Sequence, residues 1–279
     1  MKRLAACFLA ALLMLPLAAC ASDTAKEEPP ELSAASKGES EGVRIGLNEK
    51  LILNGEHGDI HYSFYLRESY DGSRKYPMMV VMPGYDMMWF GESSAGKNLD
   101  WDGFTSWTRL DTEMIVVSAQ LTDWHENSAR QAIELTEYFI DNFAVDTDRV
   151  YAAGYSAGGE TMSQAVSMRP DLYAAYLHGA SQWDGSYDSV AENGVAVYIY
   201  MAEGDEYYGS AKARSAYDGL HAAYEKMGRS AAEIDSLLRL EIPDNAFFNE
   251  KGIYNYHGGA NVLFSDPENL EWVISHSKG

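Results

Sequence analysis

The chain has 279 residues, with 21 basic against 42 acidic side chains, two cysteines and 46% hydrophobic residues. That much apolar material excludes a disordered chain, and a net charge of −21 excludes the basic surface that nucleic acid or an anionic bilayer would attract. Cys7 and Cys20 both lie near the start, so the bulk of the sequence offers neither a disulfide framework nor a cysteine metal site.

The first residues read as an export signal. Lys2 and Arg3 precede an apolar run from Leu4 to Leu17, too short to span a bilayer comfortably, and Leu17-Ala18-Ala19-Cys20 closes it. Leu-Ala-Ala-Cys resembles a bacterial lipobox. The resemblance implies a signal peptide over 1–19, lipid attachment at Cys20 and an exported protein held at a membrane surface of the bacterial cell. Loss of Lys2 and Arg3 leaves 19 basic residues against 42 acidic ones, a charge of −23. Residues 20–42 are rich in Ser, Ala, Glu, Lys and Pro without apolar periodicity, the composition of a solvated tether. Its mean reach as a coil is roughly 25 Å. Residues 43–279 are long enough for one domain.

Within that domain, Ile60 to Arg67 alternates as a strand at a sheet edge, and Tyr76 to Met82 reads as a buried strand with Pro77 tolerated at its start. A long connection from Asp86 to Asp111 carries Trp89, Phe90, Trp101 and Trp107. Met114 to Leu121 is the next apolar run, and Ser128 to Phe143 has helical spacing. A turn at Asp146–Arg149 leads into a strand from Val150 to Tyr155 and a helix from Glu160 to Met168. Further apolar runs cover Leu172–Leu177 and Val195–Met201. A second long helix covers Ser210–Met227, short strands Leu238–Ile242 and Ile253–Tyr256, and a last helix opens at Pro267. Strands alternating with helices predict an α/β fold with a mostly parallel central sheet and helices on both faces.

The most informative stretch joins strand to helix: Gly154-Tyr155-Ser156-Ala157-Gly158. Gly-x-Ser-x-Gly after a strand and before a helix is the layout of a nucleophile elbow. A serine on such a turn needs a base, and the base needs an orienting acid. Four histidines follow it. His221 falls inside the long helix, and His276 lies near the end, where fraying is expected. His178 ends the strand beside the elbow with no acid-bearing strand between it and Ser156. His257, in the loop Asn255-Tyr256-His257-Gly258-Gly259, fits the order Ser, Asp, His. Three acids follow the strand that ends at Met201. Asp205 is best placed to fold back at Gly204, with Glu203 and Glu206 expected to point elsewhere. The amide of Ala157 and that of Tyr85, in Pro83-Gly84-Tyr85, are the candidate oxyanion donors.

These pieces, in this order over most of 50–275, resemble the α/β-hydrolase superfamily. Within it the chain looks like the compact secreted esterases related to feruloyl and acetylxylan esterases and polyhydroxybutyrate depolymerases, and like the hydrolase domain of prolyl oligopeptidase-type proteins. Ser118-Ala119-Gln120-Leu121 followed by Trp124 resembles a segment of small carboxylesterases, which implies a place for Trp124 near the cleft. Gln120, Trp124 and Trp183 are the candidate substrate contacts. Pro83-Gly84 stands where His-Gly is common in the family, and Ala202-Glu203-Gly204-Asp205 departs from Gly-x-x-Asp. The resemblance implies acyl transfer with Ser156, His257 and Asp205, no cofactor or metal, and an ester substrate of small or polymeric kind, such as acetyl or feruloyl esters of polysaccharides. A peptidase and an inactive, surface-tethered binding protein are the alternatives.

Overall fold

A computed structural model describes residues 43–278. The expected signal peptide, the lipidated Cys20 and the tether lie outside the described residues. The chain runs β1 (Gly46–Gly55), β2 (Gly58–Leu66), β3 (Tyr76–Met82), α1 (Asp102–Arg109), β4 (Ile115–Gln120), α2 (Glu126–Asn142), β5 (Val145–Tyr155), α3 (Ala157–Met168), β6 (Ala175–Gly179) and α4 (Tyr187–Asn193). It continues through β7 (Ala196–Tyr200), α5 (Ser210–Lys226), α6 (Ala231–Leu237), β8 (Leu238–Glu241), α7 (Asn245–Glu250), α8 (Tyr256–Gly259) and α9 (Pro267–Ile274).

One eight-stranded sheet has the order β1-β2-β4-β3-β5-β6-β7-β8. β1 and β2 form an antiparallel hairpin, and β2 pairs antiparallel with β4. Every pair from β4 to β8 is parallel. Parallel strands require crossovers, and the crossing helices cover both faces, so the central strands read as continuous apolar runs. All seven residues of β3 are buried. Their alternation divides the interior in two. Met78, Val80 and Met82 point into one core with Val150 and Ala152 of β5, Leu135 and Phe139 of α2, Met162 of α3 and Leu220 of α5. Met79 and Val81 point into the other with Tyr151 and Ala153, Phe104 and Trp107 of α1, and Leu270 and Val273 of α9.

The fold corrects several expectations. β2 is not the edge, because β1 lies outside it. The expected turn at Asp146–Arg149 is a bulge inside β5: Tyr76 pairs with Val145 and Met78 with Val150, so four residues of β5 loop out opposite Pro77. Pro77 has no N–H to offer a ladder there. The long connection before Asp111 contains α1. Ile253 to Tyr256 is not a strand. The Ile253 amide closes α7 on the Phe248 carbonyl, and Tyr254 is largely exposed. His276 is not frayed: its ring nitrogens lie 2.8 Å from the Trp272 carbonyl and 2.9 Å from that of Ser236. Among the described residues no helix is long and apolar enough to cross a membrane, and no group of His, Cys, Asp and Glu is arranged to hold a metal ion.

Candidate active site

β3, β5 and β7 run parallel, so the turns after their carboxyl ends come together at one edge of the sheet, where open α/β sheets place their ligands. Ser156 follows β5 directly and adopts φ 53°, ψ −124°, in the positive-φ region that a side chain enters only under constraint. The constraint is packing. A β-carbon added at Gly154 would meet the Gly158 carbonyl oxygen at 2.5 Å, and one at Gly158 would meet the Met82 carbonyl oxygen at 2.2 Å. One at Gly159 would meet Ser181 Cβ at 2.4 Å. Strand, helix and neighbouring loops therefore pack at distances that exclude side chains. Two further bonds pin the turn: the Ser156 amide donates to the Gly179 carbonyl at 3.0 Å, and the Ser181 hydroxyl donates to the Ser156 carbonyl at 2.7 Å.

The structure brings the three expected side chains together. Ser156 Oγ lies 3.0 Å from His257 Nε2, and His257 Nδ1 lies 2.7 Å from Asp205 Oδ2. The other oxygen of Asp205 accepts the amides of Tyr207, Tyr208 and Gly209 at 3.0, 2.7 and 3.3 Å. Burial by itself would push the Asp205 carboxyl up. The bonds from His257 and from the Tyr208 and Gly209 amides outweigh it and hold the carboxyl below its ordinary range. An anionic Asp205 fixes the proton of a neutral His257 on Nδ1 and leaves Nε2 free to accept the serine proton.

Glu206 does not point elsewhere. Its carboxylate accepts the amides of Tyr256 at 2.9 Å and His257 at 2.8 Å, so the residue beside the orienting acid holds the loop that carries the base. Burial pushes this carboxyl up, and the two amides more than compensate, leaving it lowered. The Tyr155 hydroxyl donates to the His257 carbonyl from the other side. Glu203 takes no part in this network.

Gly84 packs beside the elbow: an added β-carbon would sit 3.2 Å from the Tyr155 ring and 3.4 Å from Ser156 Cβ. The carbonyls of Gly84 and Tyr85 accept the amides of Met87 and Met88, which turns the loop back on itself. Neither the Tyr85 nor the Ala157 amide donates to a partner among the described residues, so both remain available to a ligand oxygen.

The expected substrate contacts divide. Trp124 packs edge-on against Tyr85 with centroids 5.8 Å apart, and Tyr85 meets Phe90 at 5.0 Å, so these rings form a half-open rim beside the turn at Gly84. Gln120 is buried and committed to structure. Its oxygen accepts the Gly96 amide at 2.7 Å, and its nitrogen donates to the Met87 and Ser94 carbonyls at 2.8 and 2.9 Å, tying the connection after β3 to the end of β4. The Trp183 indole packs against Tyr176, His178 and Tyr187 at 5.4–5.8 Å, on the core side rather than as an open platform. His178 does not line the cleft. It is fully buried between the Tyr176 hydroxyl and the Ser181 carbonyl, and burial pushes its pKa down to about 4.

Residues 118–228 match the sequence model of the prolyl oligopeptidase family. No curated protein matches the sequence. Among solved structures, the chain is similar to a thermostable esterase at 20% identity and a TM-score of 0.68, over 81% of this chain and 62% of that one. It is similar to an esterase of Pyrobaculum calidifontis at 13% identity and a TM-score of 0.55, over 81% of this chain and 85% of that one. It is also similar to oligopeptidase B from Leishmania major at 13% identity and a TM-score of 0.53, over 82% of this chain and 37% of that one. The chain thus spans less than two thirds of the thermostable esterase and of oligopeptidase B. At these identities the likeness is one of architecture: the chain has the α/β-hydrolase fold, and its segment from 118 to 228 carries the sequence pattern of the prolyl oligopeptidase family.

Proposed function

We propose that the protein is a serine hydrolase that cleaves carboxylic esters through an acyl-enzyme. The observation that carries this reading is the continuous relay from Ser156 Oγ to His257 Nε2 at 3.0 Å and from His257 Nδ1 to Asp205 Oδ2 at 2.7 Å. His257 takes the hydroxyl proton as Ser156 Oγ attacks the ester carbonyl. The carbonyl oxygen becomes an oxyanion facing the amides of Tyr85 and Ala157. The tetrahedral intermediate collapses, His257 returns the proton to the leaving alkoxide, and water repeats the cycle on the acyl-enzyme to release the acid. Asp205 stays ionised throughout and stabilises the imidazolium.

The rim of Tyr85, Phe90 and Trp124 supports a ring-bearing or sugar-linked ester, such as acetyl or feruloyl esters of a polysaccharide. Apolar ring faces exposed beside a nucleophile suit the flat face of a sugar or an aryl acyl group. Export with a lipid anchor at Cys20 would place such an enzyme against extracellular or periplasmic polymers. Incorporation of labelled palmitate into the wild type and not into Cys20→Ala supports the anchor, and equal incorporation refutes it.

A fluorophosphonate probe should label the wild type and leave Ser156→Ala unlabelled. An unlabelled wild type would return the protein to the class of surface binding modules. The match to the prolyl oligopeptidase family favours amide cleavage as a second reading, because the same relay attacks both bonds. p-Nitrophenyl acetate against proline p-nitroanilide separates them, and faster anilide turnover reverses the ranking.

A further inference from the structure

The relay joins side chains from three elements, and its alignment depends on how those elements are tied to one another. Asp205 is bound tightly within its own turn, because one of its oxygens takes three successive amides ending at Gly209. Wherever that turn sits, the second oxygen points accordingly, and so does the imidazole it holds. The far side of the same turn is Tyr208. Its phenol hydroxyl donates to Oε1 of Glu160, in the first turn of α3, on the helix that Ser156 opens. This side-chain bond links the acid turn to the nucleophile's helix, and the same phenol faces the Ser156 hydroxyl. The Tyr208 ring also lies 5.6 Å from the His257 ring and 4.8 Å from that of Tyr207, itself 5.3 Å from the imidazole, so the three rings pack together as a triangle.

Glu160 is suited to this task. It is buried, its second oxygen accepts Gln182 Nε2 at 3.2 Å, and no lysine or arginine pairs with it among the described residues. A buried carboxylate without a cation is costly unless strong donors face it, and a phenol is the strongest neutral donor a side chain offers. Burial, with Asp184 close by, raises its pKa, while the Tyr208 and Gln182 bonds pull the other way.

We infer that Tyr208 and Glu160 are positioning residues for the Ser156–His257–Asp205 relay, the phenol–carboxylate bond clamping the acid turn to the elbow helix. This rests on the hydrolase reading above. The clamp touches no substrate. It acts on the side chains of the relay, the phenol itself also facing the Ser156 hydroxyl, so its loss lowers the rate of acylation and leaves substrate affinity in place.

The test uses the full-length protein and four variants: Tyr208→Phe, Glu160→Gln, Glu160→Ala and the double Glu160→Ala/Tyr208→Phe. Tyr208→Phe keeps the ring and loses only the hydroxyl. Its kcat on p-nitrophenyl acetate should fall on the order of tenfold, with KM within about twofold of the wild type. Glu160→Gln keeps an acceptor oxygen and should retain activity within about threefold, while Glu160→Ala falls as far as Tyr208→Phe. The double variant should be no slower than either single loss, because both remove one bond. The inference is overturned if Tyr208→Phe acylates at the wild-type rate, if Glu160→Gln is as slow as Glu160→Ala, or if the two losses multiply. Fluorophosphonate labelling separates this from the underlying reading. A wild type that does not label overturns the hydrolase assignment, whereas equal labelling of wild type and Tyr208→Phe overturns the clamp alone.

Discussion

His178 offers a test in which pH is the perturbation and the folded state itself is the reporter. The imidazole is fully buried, and a carbonyl can only accept, so the Ser181 carbonyl at 3.2 Å takes the Nε2 proton. Nδ1 faces the Tyr176 hydroxyl at 2.7 Å, which also lies 2.9 Å from the Gly159 carbonyl, so one phenol proton serves two acceptors. A second proton on the ring would strand a charge in the core. Burial accordingly pushes the pKa from 6.5 to about 4. The unfolded chain takes up a proton near pH 6.5, and the folded protein does not until near pH 4. Between those values the unfolded state binds more protons, so stability falls as the pH falls, and the loss levels off below pH 4. The gap corresponds to about 3 kcal/mol in full, of which about 2 kcal/mol is lost by pH 5. Carboxylates titrate over part of this range, so the readout is a difference. Urea unfolding is followed for the wild type and for His178→Gln, which keeps an acceptor and a donor but cannot titrate. The stability difference between them should shrink by about 2 kcal/mol from pH 8 to pH 5. A difference that is flat with pH, or a His178 ring signal that titrates in the folded protein near pH 6.5, would refute the argument.

Three further outcomes follow from the site. Asp205→Asn should lower kcat by about three to four orders of magnitude, because an amide no longer fixes the His257 proton on Nδ1; a loss below about tenfold would show that the acid is dispensable. Glu206→Ala leaves Asp205 and its three amides in place but frees the Tyr256 and His257 amides. It should lower kcat on the order of tenfold with little change in thermal stability, and an unchanged kcat would mean that the His257 loop holds its own shape. Gly158→Ala drives a β-carbon toward the Met82 carbonyl oxygen. The segment from Met82 to Pro83 must then move, and both the melting temperature and fluorophosphonate labelling should drop; a variant that melts and labels like the wild type would contradict the packing described.

What the sequence made legible follows from the chemistry that enforces it. The strands from Tyr76 to Tyr200 are buried on both faces and so appear as apolar runs, and the elbow is spelled by glycines that no other residue can replace at those contacts. β1 was hidden because it is half exposed: Asn48, Glu49 and Lys50 interrupt it at a bulge where Lys50 takes a positive φ. α1 carries a short helical signal, since Phe104 and Trp107 stand three apart on one buried face. Of the aromatic residues on that connection, Trp107 belongs to the helix's core side. Gln120 and Trp183 show the converse. Their residue types suit a binding surface, but Gln120 spends its amide on three main-chain groups and Trp183 spends its ring on its neighbours.

The acids near the site show where reading by residue type stops. Asp205, Glu206 and Glu160 are three carboxylates close to one histidine, yet each faces different donors. Asp205 takes an imidazole and three amides of its own turn, Glu206 takes the amides of the loop that carries the imidazole, and Glu160 takes a phenol from that turn. Chain order singled out Asp205 because the imidazole partner recurs in a known sequence of roles. Nothing in order or spacing marks the other two, because main-chain amides and a tyrosine hydroxyl carry no signature along the chain. Their work is nonetheless what a relay of long side chains needs. A hydrogen bond between Ser156 and His257 is productive only when the turns carrying its ends cannot drift, and a misplacement of about 1 Å can slow such chemistry a hundredfold.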